Sequence, residues 1–197
     1  MKLAIFASGF GSNFEHILNC TKNGALNNSE IVFFHSDKPA SRSAQIAAEN
    51  GIPSYLSAKG EDRTALEKKL SVLMIGHEVE LVVLAGYMRI VGPALLENWA
   101  GKIINLHPSL LPAYKGKDAI RRAVEAGEDK IGVTVHYVDD GVDTGPVILQ
   151  RELAGDWKNR PLAEIEERIH ALERELMLEV LRGFETSATR ERKIEYA

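Results

Sequence analysis

The chain has 197 residues, of which 45% are hydrophobic and 26% charged, and its formal net charge is −4. This length and composition are typical of one globular domain and exclude a wholly disordered chain. The negative charge argues against general electrostatic attraction to nucleic acid. No apolar run approaches the ~20 residues of a membrane-spanning helix. The single cysteine, Cys20, excludes an intrachain disulfide, and no secretory signal is visible, so we expect a cytoplasmic protein.

Short apolar runs alternate with segments of helical period in the first half of the chain. The continuous hydrophobicity of these runs is typical of strands that are buried on both faces of a parallel sheet. The predicted strands are 2–7, 30–34, 80–85 and 102–106, and the predicted helices are 13–22, 41–50 and 62–76. This alternation predicts an α/β fold with a doubly wound, mostly parallel and twisted sheet.

The second half of the chain has a different pattern. Residues 132–138 alternate with period two, and residues 146–153 follow them without an intervening helix, which predicts an antiparallel strand pair. A long helix is predicted over 161–182, with Gly183 as its end. We expect its apolar stripe to pack on the sheet, with a coiled-coil partner as the alternative. The stripe consists of Leu162, Ile165, Ile169, Leu172, Leu176 and Val180.

A glycine-rich segment, Ser8-Gly9-Phe10-Gly11-Ser12-Asn13, follows the first predicted strand and opens the first predicted helix. Such a turn directs backbone N–H groups and the positive end of the helix dipole towards an anion, most often a phosphate. The third glycine of a dinucleotide fingerprint and the Gly-Lys-Ser/Thr of a Walker loop are both missing. The alternative is an ordinary tight turn in which Ser12 caps the helix.

Polar residues with catalytic potential follow the strand at 102–106. Asn105 and His107 lie two positions apart on an extended chain, so their side chains leave the same face. An amide and an imidazole side by side can stabilise an oxyanion and transfer a proton. The acidic loop 139–145 could bring a carboxylate to His107, which would favour the charged imidazole and orient it. The loop lacks calcium-site spacing, so we expect no metal, and the other five histidines are assigned structural roles.

Four motifs carry a resemblance to a known family. SGFGSN (8–13), AGYMRIV (85–91), NLHPSLLP (105–112) with Gly116, and GVTV (132–135) with GVDTGPV (141–147) resemble the folate-dependent formyltransferase superfamily over essentially the whole chain. The glycine loop is similar to that of members that act on glycinamide ribonucleotide. The resemblance implies a Rossmann-like formyltransferase fold, with a single domain over 1–197. Its phosphate-binding half would span about 1–100 and its folate and catalytic half about 101–197.

The resemblance also implies an activity. A formyl group would pass from 10-formyltetrahydrofolate to the amine of glycinamide ribonucleotide, a step of purine biosynthesis, by direct amine attack through a tetrahedral intermediate. Asn105, His107 and Asp143 would be the catalytic residues. The nucleotide would contact Gly11, Ser12, Asn13 and Glu173, and the folate would contact Arg63, Met88, Arg89, Ile90, Val91, Asn105, Asp140 and Asp143. The implied partners are small molecules, with no metal, nucleic acid or membrane, and the chain would be a monomer or weak homodimer.

Three other functions remain open at this point. The chain could resemble the methionyl-tRNA member of the superfamily, which carries a further C-terminal domain, or a formyltetrahydrofolate hydrolase, which carries an extra N-terminal domain. We expect both to be disfavoured, because a strand begins at Lys2 and the sequence ends soon after Gly183. A non-catalytic folate- or nucleotide-binding module would be preferred only if one of the three catalytic positions were apolar.

Overall fold

The computed structural model describes the backbone of residues 1–195 and the side chains of residues 1–187, so the domain prediction for residues 196 and 197 lies outside it. The strands are β1 (Lys2–Phe6), β2 (Glu30–Ser36), β3 (Ser54–Leu56), β4 (Leu81–Leu84), β5 (Ile103–His107), β6 (Gly132–Tyr137) and β7 (Val147–Glu152). The helices are α1 (Ser12–Lys22), α2 (Arg42–Glu49), α3 (Arg63–Gly76), α4 (Pro93–Trp99), α5 (Ala119–Glu125) and α6 (Leu162–Glu195).

The strands form one seven-stranded sheet in the order β3-β2-β1-β4-β5-β6-β7. Strands β1 to β5 pair in parallel, whereas β6 is antiparallel to both β5 and β7. The predicted fold class, with its antiparallel pair and long C-terminal helix, is therefore confirmed. Strand β3, with three residues, and helices α4 and α5, with two turns each, were not predicted, because such a short strand or helix shows no clear period.

Helices cover both faces of the sheet, which explains why the parallel strands are apolar at consecutive positions. In β1, Leu3 and Ile5 pack in one core with side chains of α1, α2, α5 and α6. Their neighbours Ala4 and Phe6 point to the opposite core, which α3 and α4 complete. Successive residues of a strand face opposite sides, so a strand covered on both faces buries all of them.

Helix α6 packs on the sheet as predicted, with Ile165, Ile169 and Leu176 almost fully buried. The prediction that Gly183 ends this helix is wrong, because α6 continues through it. Beyond the glycine, the ring of Phe184 packs edge-on against Tyr137. The buried carboxylate of Glu185 accepts hydrogen bonds from the backbone N–H of Asn28 and the hydroxyl of Ser29. These tertiary contacts outweigh the ~1 kcal/mol by which glycine disfavours a helix.

The strand order reverses direction between β1 and β4, where an open α/β sheet forms a crevice at the carboxyl ends of its strands. The chain leaves β1 towards β2 on one side, and β4 lies on the other side of β1. The loops after β1 and β4 meet there, where the backbone N–H of Ser8 donates to the carbonyl of Gly86 at 3.1 Å. Ligands of open α/β sheets bind outside the carboxyl ends of the strands at such a switch point.

Two predictions from composition concerned membrane-spanning helices and the single cysteine. Among the described residues, no helix has the length and apolar character needed to cross a membrane. Cys20 is buried in α1, and its burial raises the pKa of the thiol, which is consistent with a packed side chain rather than a nucleophile.

Candidate active site

The structure brings Asn105, His107 and Asp143 together at the end of β5. The Nδ1 atom of His107 lies 3.3 Å from Oδ2 of Asp143. Asn105 Nδ2 donates to Oδ1 of the same carboxylate at 3.3 Å. Strand β5 positions the first two side chains, and the loop between β6 and β7 presents Asp143. The predicted cluster of an amide, an imidazole and a carboxylate is thus present as one site.

Hydrogen bonds define the form of the imidazole that the site favours. The Nε2 atom of His107 faces the backbone carbonyl of Tyr114 at 2.9 Å, and a carbonyl can only accept. The other ring nitrogen faces the Asp143 carboxylate. Only the doubly protonated ring donates to both acceptors, so the surroundings of His107 suit an imidazolium cation.

Asp143 is the anionic centre of this cluster. Burial acts to raise the pKa of its carboxyl, but a hydrogen bond from His136, another from the backbone N–H of Gly116 and the nearby His107 and His136 outweigh it. Together they lower the pKa of Asp143 to about 2. The carboxylate is therefore ionised at neutral pH. Its backbone has a φ of 50°, a conformation that presents the side chain to strand β5.

His136 is a member of the site that the sequence analysis assigned to a structural role. Its Nε2 atom lies 3.2 Å from Asn105 Nδ2 and 3.5 Å from Asp143 Oδ1. Strand pairing explains this position, since Asn105 lies opposite His136 in the antiparallel β5–β6 ladder. The carbonyl of Tyr137 lies 2.7 Å from Nδ1, which places a proton on that nitrogen.

The glycine loop forms the start of α1, as predicted. Gly11 is the N-cap residue, with a φ of 80° and no side-chain hydrogen bond to the first turn. Ser12 is the first residue of the helix, so the alternative in which Ser12 caps it is wrong. The end of a helix without a side-chain cap offers backbone N–H groups to an anion.

Glu173 lies beside this loop although it is far away in sequence. The amide of Asn13 donates to Glu173 Oε2 at 3.1 Å, and His170 Nδ1 lies 2.9 Å from the same oxygen. Glu173 is buried, and the Oδ1 atom of Asn13 is buried without a hydrogen-bond partner among the described residues. Helix α6 therefore brings a carboxylate to the glycine loop, beside the buried amide oxygen of Asn13.

Four of the eight residues expected at the folate site lie at one cleft beside the loop after β4. Arg63, Arg89, Ile90 and Val91 line one cleft, which also contains Glu67. Ile90 and its neighbour Met88 are more than half exposed. The side chain of Val91 is buried in the core beneath them. Asp140 lies exposed at the start of the acidic loop.

The acidic loop is held by its own hydrogen bonds. Asp139 accepts from the backbone N–H of Gly141 and from the hydroxyl of Thr144. Gly145 packs so closely on the strand that a Cβ atom there would lie 1.9 Å from the carbonyl oxygen of Tyr137. Within the described part of the chain, no group of three or more His, Cys, Asp or Glu residues could hold a metal ion.

The sequence and the fold, with the cluster of a histidine, a carboxylate and an amide, place this chain in a known class of enzymes. The formyl transferase family matches residues 1–181, and the chain belongs to this family. It is 45% identical over 174 residues to the phosphoribosylglycinamide formyltransferase of Bacillus subtilis, covering 87% of this chain and 88% of that protein.

Solved structures show the same relationship. The phosphoribosylglycinamide formyltransferase of Bacillus halodurans matches with a TM-score of 0.88 at 37% identity, over 95% of this chain and 97% of that one. Glycinamide ribonucleotide transformylase 1 of Geobacillus kaustophilus matches with a TM-score of 0.87 at 43% identity, over 93% of this chain and 97% of that one.

Proposed function

We propose that the protein transfers the formyl group of 10-formyltetrahydrofolate to the amine of glycinamide ribonucleotide. The observation that carries this proposal is the cluster at the end of β5, in which Asp143 lies 3.3 Å from both Asn105 and His107. The relatives with high identity along nearly the whole chain are named for the same acceptor, which supports it.

The chemistry requires charge stabilisation and one proton transfer. The amine attacks the formyl carbon, a new C–N bond forms, and negative charge develops on the formyl oxygen. The bond to the folate nitrogen then breaks, and the proton lost by the amine passes to that nitrogen. A cationic His107 stabilises the oxyanion electrostatically, and Asp143 keeps the ring charged and oriented.

Asn105 is the proposed donor to the same oxyanion. Its Nδ2 atom donates to Asp143 and lies 3.2 Å from His136 Nε2, so one of its N–H groups is already engaged inside the site. For the oxyanion role, one N–H turns from these neighbours to the substrate oxygen. Catalytic hydrogen bonds often tighten only when the substrate is bound, so the present contacts allow this role.

The nucleotide is proposed to lie along the glycine loop. The phosphate accepts from the backbone at Gly11, Ser12 and Asn13, where the positive end of α1 favours an anion. Glu173 accepts a ribose hydroxyl. The buried Oδ1 atom of Asn13 can accept from the same part of the substrate.

The folate is proposed to lie against the loop after β4 and the acidic loop. Exposed Met88 and Ile90 offer apolar surface for a ring system, and Arg63 and Arg89 offer positive charge for its carboxylate tail. Asp140 and Asp143 would face the polar edge of the ring. In this proposal both reactants are small molecules, and the enzyme acts in the cytoplasm as a monomer or weak homodimer.

A direct assay tests the choice of acceptor. Purified protein is given 10-formyltetrahydrofolate with either glycinamide ribonucleotide or methionyl-tRNA, and formylated product is quantified over time. The expected result is turnover on the ribonucleotide and none on the tRNA. Turnover on the tRNA alone, or hydrolysis of the folate without transfer, would overturn the proposal.

A further inference from the structure

Glu67 is a buried carboxylate outside the catalytic cluster. It lies on α3, and its side chain is only 7% exposed. Its Oε1 atom accepts from the backbone N–H of Gly92 at 2.7 Å and from Nε of Arg63 at 3.1 Å. Burying a charged group is costly unless it is paired and hydrogen-bonded, and both conditions are met here.

Gly92 leaves the room that this arrangement needs. Its φ of −106° is one that any residue adopts, so the backbone does not require glycine. A Cβ atom at this position, however, would lie 2.2 Å from Nη2 of Arg63 and 2.6 Å from Oε1 of Glu67. The absence of a side chain at Gly92 therefore lets the Arg63–Glu67 pair pack against the end of the loop.

The pair borders the cleft at which the folate is proposed to bind. Arg63 and Glu67 line this cleft together with Tyr87, Arg89 and Ile90. Glu67 engages one N–H of the guanidinium, and the Arg63 side chain is 47% exposed. The remaining N–H groups of Arg63 are thus available to an anion on the solvent side.

We propose that Glu67 is a positioning residue for the folate substrate. It fixes the Gly92 end of the loop that presents residues 88–91, and it aims Arg63 at the carboxylate tail. The inference rests on the proposed function, because it assigns a role within the same folate site. It adds a residue that acts through its neighbours and does not touch the reacting atoms.

Kinetics of matched variants test this role. Glu67→Ala should raise the KM for 10-formyltetrahydrofolate by about tenfold or more, the size expected when one charge-assisted hydrogen bond is lost. The kcat and the KM for the ribonucleotide should stay within about twofold. Glu67→Gln should recover part of the loss, because its amide oxygen can still accept from Gly92. Lys68→Ala, an exposed change on the same helix, should match the wild type.

A double-mutant cycle tests the packing. Gly92→Ala should displace Arg63 and raise the same KM. The double variant Glu67→Ala, Gly92→Ala should be no worse than Glu67→Ala alone, because the displaced pair is already broken. Calorimetric titration of each variant with tetrahydrofolate should show the same order of dissociation constants without relying on turnover.

The outcomes separate the two proposals. If the wild type transfers formyl to the ribonucleotide and Glu67→Ala keeps its KM for the folate, the positioning role is wrong and the proposed function stands. A parallel rise of both KM values in Glu67→Gln, together with a lower melting temperature, would also overturn the positioning role. If the wild type transfers no formyl group, both proposals fail.

Discussion

Asp143 contacts three groups of the candidate active site, which no sequence pattern around it predicts. Its two oxygens contact the imidazole of His107, the amide of Asn105 and the backbone N–H of Gly116. These contacts come from β5 and from the loop that follows it. A single carboxylate therefore orients both of the other proposed catalytic side chains.

Substitution of Asp143 by asparagine should test this orientation. Asp143→Asn removes the charge and turns an NH₂ group towards at least one donor, so His107 loses its anionic partner. The expected result is a fall in kcat of about 10²-fold or more at saturating substrates. Asp129→Asn, an exposed position paired with Lys158, is the matched control and should keep full activity. A kcat within twofold of the wild type in Asp143→Asn would remove the carboxylate from the mechanism.

At residue 11, a glycine is required for the stability of the fold. Its φ of 80° favours glycine, and a Cβ atom there would lie 2.9 Å from Cβ and 3.0 Å from Cα of Ser43. Gly11→Ala should therefore lower the free energy of unfolding by about 1–3 kcal/mol, measured by urea denaturation. Gly9→Ala is the control, since nothing lies within 4 Å of its Cβ position. Equal stability of the two variants would show that the glycine loop tolerates a side chain at residue 11.

The sequence predicted some members of the active site and missed others for a physical reason. Asn105 and His107 stand out because of their place at a buried strand. The loop 139–145 stands out because it is too polar to be a strand, and the family resemblance selects Asp143 within it. His136 reaches the site only through the register of β5 against β6, which no local pattern specifies. Glu67 likewise looks like an ordinary helix residue until α3 packs against the loop at Gly92.

At the scale of elements, a neutral histidine links β2 to the loop after β4. His35 Nδ1 donates to the carbonyl of Tyr55 at 2.8 Å, and the hydroxyl of Tyr87 donates to Nε2 at 3.2 Å. His35 is fully buried, and this burial lowers the pKa of the imidazole to about 4 from an ordinary value of 6.5. The folded protein thus keeps the ring uncharged, and the ring contacts Tyr87 in the loop after β4, where the folate is proposed to bind.

This arrangement makes stability depend on pH over a defined range. Between pH 6.5 and about 4 the unfolded chain binds a proton at His35 that the folded chain does not, so stability falls as the pH falls through this range. The loss amounts to about 3 kcal/mol at the lower end. His35→Phe removes the titrating group. As the pH falls from neutral to about 4, the free energy of unfolding of this variant should therefore rise by about 3 kcal/mol relative to that of the wild type. A difference that is the same at both pH values would contradict the assignment.

The helices begin and end where local sequence signals predict, except where tertiary contacts extend a helix. Helix α3 begins after Asp62, whose side chain accepts from the N–H of Ala65 as a capping residue should. Helix α6 passes through Gly183 because Phe184 and Glu185 find partners beyond it.

At the scale of the whole molecule, long-range contacts join segments that are distant in the sequence. The strand order puts β1 beside β4, which joins the glycine loop to the loop at Gly86. The antiparallel strands β6 and β7 extend the same sheet past β5 and hold the acidic loop against it. Helix α6 then brings Glu173 back to Asn13. The alternation of strand and helix predicted the sheet, whereas these long-range contacts depend on the strand order.

The central claim is that His107, held by Asp143 and Tyr114, stabilises the charge of formyl transfer. The most direct test is the single-turnover rate of His107→Ala with both substrates at saturation, together with their dissociation constants measured by calorimetry. We expect a single-turnover rate at least ~10²-fold below that of the wild type, with both dissociation constants changed by less than about threefold. A variant that keeps the wild-type rate, or that loses only its affinity for a substrate, would contradict the claim.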